Sequence, residues 1–256
     1  MIFGVTPMMM GAAGKGAPKE QFIAVAHNNP PFITAYPWSS SGFGTKFSNP
    51  STLPTGNSRG VAFSPSGDAI AVAHLDTPFI TAYPWSSSGF GTKFSDPSLP
   101  VGGSGIGVAF SPSGDAIAVA HANTPRITAY PWSSSGFGTK FSDPSLPVGG
   151  IGIGIGVAFS PSGDAIAVAH LDTPFITAYP WSSSGFGTKF SDPSLPVGGS
   201  GIGVAFSPSG DAIAVAHDNT PFVSAYPWSS SGFGTKFSNP STLPTGNGEG
   251  VAFTEV

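Results

Sequence analysis

The feature that most constrains this chain is its own recurrence. Trp38, Trp85, Trp132, Trp181 and Trp228 are its only tryptophans, spaced by 47, 47, 49 and 47 residues, and its five tyrosines and five histidines keep step with them. The stretch from Gly60 to Ile106 returns unchanged from Gly156 to Ile202, so blocks of two units have been copied as well as single units. A fixed period of roughly 40 to 50 residues means that each unit is one supersecondary element whose apolar faces are buried only by its neighbours. The single spacing of 49 falls at the glycine-rich run that begins at Ile151, a connector that absorbs the extra length.

Within one unit the residue pattern predicts four short strands. Gly60-Val-Ala-Phe63 reads as the first, and Ser64-Pro-Ser-Gly67 has the residue types of a tight turn. In the next strand, Asp68 to His74, alternation puts Ile70, Val72 and His74 on one face and three alanines on the other. The alanine face permits close approach of a neighbouring sheet. A connection through Leu75-Asp-Thr-Pro78 leads to Phe79-Ile-Thr-Ala-Tyr83, rich in residues that suit a pleated surface. Pro84 is expected to end that strand, because an interior strand cannot spare an amide donor. Ser86-Ser-Ser-Gly89 then turns the chain into a fourth strand, Phe90 to Phe94.

Four-stranded units of this length are the blades of a β-propeller. The fold class is therefore all-β, a five-bladed propeller of four-stranded antiparallel blades. The first unit begins at its second strand, Gln21 to His27, while Gly250-Val-Ala-Phe253 is an orphan first strand. Pairing the two would close the ring in one blade shared by both termini. The expected organisation is an extension, 1–20, followed by one domain, 21–256, with units 21–59 plus 250–256, 60–106, 107–155, 156–202 and 203–249. The self-closed ring is the expected form; the orphan strand could instead pair with another molecule, a head-to-tail exchange.

The segment Ala-Phe-Ser-Pro-Ser-Gly-Asp-Ala-Ile-Ala-Val-Ala, present nearly unaltered along the chain, resembles the first two strands of WD40-type blades. The resemblance implies the propeller fold. No Gly-His pair opens the repeat and Trp85 lies beyond the WD40 position, so the hydrogen-bonded tetrad of that family does not carry over. The count of five and the 47-residue period are similar to the tachylectin-2 type of sugar-binding propeller. The Tyr-Pro-Trp-Ser-Ser-Ser-Gly-Phe-Gly motif resembles repeats of phage and environmental sequences.

Composition narrows the functions. A net charge of -4, with nine basic residues in no run, leaves little to neutralise a phosphate backbone, so nucleic acid is not an expected partner. The absence of cysteine excludes disulfides, thiolate metal sites and thiol nucleophiles. No apolar stretch reads as a membrane span, and Met1 to Met10 lacks the basic start of a signal peptide. Localisation is unassigned, with extracellular and virion-associated settings both compatible.

Catalysis requires unlike residues converging on one place, which five copies of the same residues do not themselves supply. No phosphate loop, nucleophile elbow, His-Glu-x-x-His or EF-hand loop is present, and neither a cofactor nor a metal is expected. Two repeated constellations stand as ligand-binding candidates. One is the histidine two residues before an Asx: His27, His74, His121, His170 and His217. It can line a rim pocket or satisfy its own turn. The other pairs Tyr36 with Trp38, Tyr83 with Trp85, Tyr130 with Trp132, Tyr179 with Trp181, and Tyr226 with Trp228. Aromatic faces beside serine hydroxyls suit sugars, and the same rings suit packing between blades. Lys93 and its equivalents read as charges guarding a sheet edge. Arg126 stands where other units have Phe.

These readings point to a non-enzymatic, multivalent binding module, lectin-like, facing a glycan or protein surface. The alternatives are a structural or interaction protein of a virion or extracellular fibre, and an enzyme with its site at the central channel.

Overall fold

The computed structural model describes residues 20–145, 148 and 154–254. The expected N-terminal extension, except Glu20, and the start of the lengthened connector at Ile151 lie outside the described residues. Among the described residues all regular structure is β. Five antiparallel sheets follow one another as five blades of a propeller, each strand pairing with its neighbour in sequence. Blade two is Ser58–Phe63, Ala69–His74, Ile80–Ser86 and Gly89–Phe90. Blades three, four and five repeat it, with inner strands Gly105–Phe110, Gly154–Phe159 and Gly201–Phe206.

The local reasons are legible in one blade. Ser64 carries the first turn. Its carbonyl accepts the Gly67 N–H at 2.9 Å, and its hydroxyl donates to Asp68 Oδ1 at 2.8 Å while accepting the Ala69 N–H at 3.0 Å. Gly67 takes φ of 74°, the left-handed region glycine enters at no steric cost. The second turn closes where the Asp76 carbonyl accepts the Phe79 N–H at 2.7 Å. Pro84 does not end the third strand, contrary to the sequence expectation. The strand runs on through Trp85 to Ser86, because the Trp85 N–H finds the Asp68 carbonyl and the Pro84 carbonyl accepts from Gly91. The fourth strand is shorter than expected; beyond Phe90 the chain stays tied to the sheet where the Gly91 N–H meets the Pro84 carbonyl at 2.8 Å and the Phe94 N–H meets the Ala82 carbonyl at 3.0 Å.

Blade-to-blade packing sets the architecture. The alanine face of blade two, Ala69, Ala71, Ala73, Ile80 and Ala82, receives Ile117, Val119, Tyr130 and Trp132 of blade three. The same small-against-large contact joins blades one and two, three and four, and four and five. Nearer the axis, inner strands almost touch. A Cβ on Gly60 would lie 2.5 Å from the Ile106 carbonyl oxygen, and one on Gly107 would lie 2.4 Å from that of Ile155. Only glycine permits that approach.

The expected closure is where the structure differs from the sequence reading. Among the described residues blade one has three strands, Gln21–Ala26, Ile33–Ser39 and Gly42–Phe43, and its first strand pairs only with its second. Residues 250–254 form no strand. They sit instead on blade five: Gly248 N–H donates to the His217 carbonyl at 2.9 Å, and a Cβ on Gly203 would lie 2.9 Å from the Gly250 Cα. Among the described residues the five blades form four inter-blade cores, and none joins blade five to blade one.

Trp181, 7% exposed, fills the core between blades three and four. Trp181→Ala is expected to cost about 3–5 kcal/mol, read as a lowered urea midpoint with an unchanged slope.

Candidate functional site

The structure places the two repeated constellations differently from one another and differently in blade one. In blades two to five the tyrosines are fully buried, and Tyr83, Tyr130 and Tyr226 each donate a 2.8 Å hydrogen bond to the connector from the preceding blade, at the carbonyls of Thr52, Leu99 and Leu195. Burial raises all four phenols, Tyr226 to about 12. The tryptophans of these blades are 4–8% exposed. Each lies edge-on to three phenylalanines that arrive from three places. Trp132 meets Phe94 from the preceding blade, Phe110 from its own inner strand and Phe137 from its own outer strand, at centroid distances of 5.1–5.2 Å. Trp181 and Trp228 repeat that cage, and Trp85 has it with Phe22 added.

Blade one breaks the pattern. Trp38 is 41% exposed and among the described residues touches one phenylalanine, Phe43, while Tyr36 is half-buried. A groove of about 450 Å³ runs past Gln21, Ile23 and Trp38 to Phe63 and Gly67 of blade two. This is the one place where the repeated Tyr-Pro-Trp motif offers an aromatic platform to solvent.

His74, His121, His170 and His217 are fully buried inside the blades, and His27 is half-buried. Each ring's Nε2 shares a hydrogen bond with the hydroxyl seven residues on: Thr34, Thr81, Thr128 and Thr177 at 2.9–3.0 Å, and Ser224 at 3.1 Å. Nδ1 of His121, His170 and His217 has no hydrogen-bond partner. Burial holds all four buried imidazoles below the usual histidine range, His121 and His170 at about 4. The Asx two residues on uses its backbone carbonyl to close the second turn, from Asn29 to Asn219.

The four blade junctions share one further hollow on the turn side. At the junction of blades two and three it is about 280 Å³, lined by Asp68, Pro84, Phe94, Trp132, Ser133 and Ser134; the next two junctions hold about 160 and 150 Å³ with equivalent linings. At the first junction Gln21 replaces the aspartate. The serines that bond Asp68, Asp115, Asp164 and Asp211 hold these carboxyls below the usual range. The volumes fall short of the roughly 300 Å³ at which ligand clefts begin. Among the described residues no three His, Asp or Glu converge where they could hold a metal ion. Lys93, Lys140 and Lys189, expected on the outermost strand, lie beyond its end, and each pairs with the aspartate three residues on. Arg126 is 5% exposed and donates to the Thr124 hydroxyl at 3.2 Å.

Sequence reasoning found the repeated aromatic and histidine positions. It did not find that blade one's copies stand apart, although the missing inner strand at the N-terminus was the signal for it.

The titrations predict a pH dependence. The unfolded histidines protonate near 6.5 and the buried ones resist it, so the unfolded chain binds more protons between about pH 6.5 and 4. Stability is full above that window and falls as pH drops through it; the depressed aspartates add a further loss below it. A melting temperature flat from pH 8 to 7 and falling by several degrees from pH 6.5 to 4.5 is expected. His121→Gln and His170→Gln together should flatten that fall.

No protein-family model and no curated protein matches the chain. Its likeness is to solved structures. A protein from Lactobacillus plantarum superposes with a TM-score of 0.67 at 15% identity, over 90% of this chain and 70% of its own. Proteins provisionally named 6-phosphogluconolactonases, from Bacteroides uniformis and Bacteroides fragilis, give TM-scores of 0.63 and 0.66 at 14% identity, covering 84% and 90% of this chain. This chain spans 66% and 69% of those two, about two thirds of their length. The resemblance is one of fold. It corrects the expectation of a non-enzymatic binding module, lectin-like or belonging to a virion or fibre, since neighbours in fold bear an enzyme's name. Neither the WD40 nor the tachylectin-2 resemblance, nor carbohydrate binding or a phage source, gains support from these comparisons.

Proposed function

We propose that this chain works as a section of propeller wall, five blades long, that is completed by adding a blade face at each end. The observation that carries this reading is the mismatch of its ends. Among the described residues, blade one has an outer three-strand sheet without an inner strand, and residues 248–253 lie on blade five in the place of an inner strand without a sheet. An unpaired strand edge and an uncovered apolar face are each costly to leave in water and ready to pair. Val25, Trp38 and Phe43 at one end and Phe237 and Phe253 at the other are 39–61% exposed. Completion buries all of them.

A second reading, hydrolysis of a sugar-phosphate lactone, is favoured by the names of two neighbours in fold. It requires a base to activate water and a cationic cradle for phosphate. Acid release from 6-phosphogluconolactone, followed with a pH indicator, tests it; a rate equal to that of buffer alone removes it.

Completion predicts that the amides of Val251, Ala252 and Phe253 exchange with deuterium as slowly as those of Val108, Ala109 and Phe110. Exchange at the rate of an open chain would overturn the reading.

A further inference from the structure

We infer that the face completing each end belongs to a second copy of this chain, joined head to tail, with residues 248–253 of one copy serving as the inner strand of the next copy's blade one. The inference rests on the completion proposed above and names what completes it. The joint would be a fifth instance of a contact the chain already makes four times.

The parts match residue by residue. Trp38 lacks two of the three phenylalanines that cage Trp132, Trp181 and Trp228: the one from a preceding blade and the one from its own inner strand. By position in the repeat those are Phe237 and Phe253, which are 51% and 39% exposed. The groove beside Ile23 and Trp38 is the space the inner strand would enter. The register follows from blade two, where Gly60 faces Ala73, Val61 faces Val72 and Phe63 faces Ile70. Transferred to the joint, Gly250 faces the second copy's Ala26, Val251 its Val25 and Phe253 its Ile23. The offered face is unaltered as well. Residues 35–57, through which blade one receives blade two, recur without a change as residues 225–247 in blade five.

Charge and backbone agree. The residue just before the inner-strand glycine at 60, 107, 156, 203 and 250 is Ile at 106, 155 and 202, but Arg59 at one end and Glu249 at the other, both exposed. In the joint these adjoin, so opposite charges meet where the repeat elsewhere stacks isoleucines. Gly250 has open space around its missing Cβ. Its equivalent Gly60 lies against the next inner strand's carbonyl, and the second copy's Arg59 carbonyl would take that place.

A second copy, and not the chain's own blade one, is the occupant because of the four existing junctions. No core joins blade five to blade one among the described residues and residues 250–254 pair with no strand, so self-closure must shift existing junctions, which close-packed interfaces with glycine-to-carbonyl approaches resist. Adding a copy changes none of them. The contact is heterologous, so it builds rings or rows by repetition.

The chain has no cysteine, which makes the register directly testable. Val25→Cys and Val251→Cys are purified separately, mixed and oxidised. A disulfide-linked pair of chains from the mixture, and from neither variant alone, is expected. Gly250→Ala, which meets nothing in the single chain, is expected to cut the yield at least tenfold while leaving the melting curve in place. Arg59→Glu should also lower it, and Arg59→Glu with Glu249→Arg should restore it. No linked pair from the mixture, with an intramolecular disulfide in the Val25→Cys/Val251→Cys double variant, would overturn the second copy and leave completion standing as self-closure. Absence of both disulfides, with open-chain exchange at Val251 to Phe253, would overturn both.

Discussion

Everything in this molecule depends on one asymmetric contact, a face of alanines in one blade against a face of Ile, Val, Tyr and Trp in the next. A sheet cannot bury two large-residue faces at the short distance that the inner glycines impose, and cannot fill the space with two small ones. Small against large satisfies both demands. It also gives the stack a direction, since each blade has one face of each kind. A directional stack of identical units has no internal reason to stop at any number.

The tryptophan cage shows how that contact reaches beyond the sheets it joins. Its phenylalanines come from the preceding blade, the inner strand and the outer strand, so an indole is enclosed only when a blade has both its own four strands and a neighbour. Edge-on aromatic pairs of this kind add about 0.5–1.5 kcal/mol each beyond the area they bury. The same five tryptophans therefore report completeness: four are enclosed, and Trp38, in the blade lacking both an inner strand and a predecessor, is not. The buried histidines belong to the same logic from inside the blade, each tying the second strand to the third through a hydroxyl.

The fold was legible because its signals are local and repeated. Alternation of alanine with Ile and Val sets the faces, Ser64 to Gly67 sets the turn, and the spacing of the tryptophans counts the blades. Two local readings failed for physical reasons. Pro84 was expected to end its strand for want of an N–H, but its carbonyl is used by Gly91 and the Trp85 N–H resumes the pairing one residue on. The role of the aromatic motif could not be decided from sequence, because burial of Trp85 and exposure of Trp38 follow from neighbours and not from the residues, which are the same. The complementarity of the termini was visible as an orphan strand. Whether it meets its own chain is fixed by the angle between blades, a property of packing that no single repeat displays.

That angle also explains why near-identity among the blades has consequences for assembly. In a propeller of divergent blades, each face is shaped for one partner, and mismatched side chains discourage exchange between molecules. Here any alanine face fits any aromatic face, so shape alone does not distinguish an internal junction from one between copies. Arg126 in blade three is one departure from identity; two others, Arg59 and Glu249, replace isoleucine on the inner strands that open blade two and follow blade five. Opposite charges at those two positions favour end meeting end. The pair thus supplies the specificity that the repeat, by being a repeat, lacks.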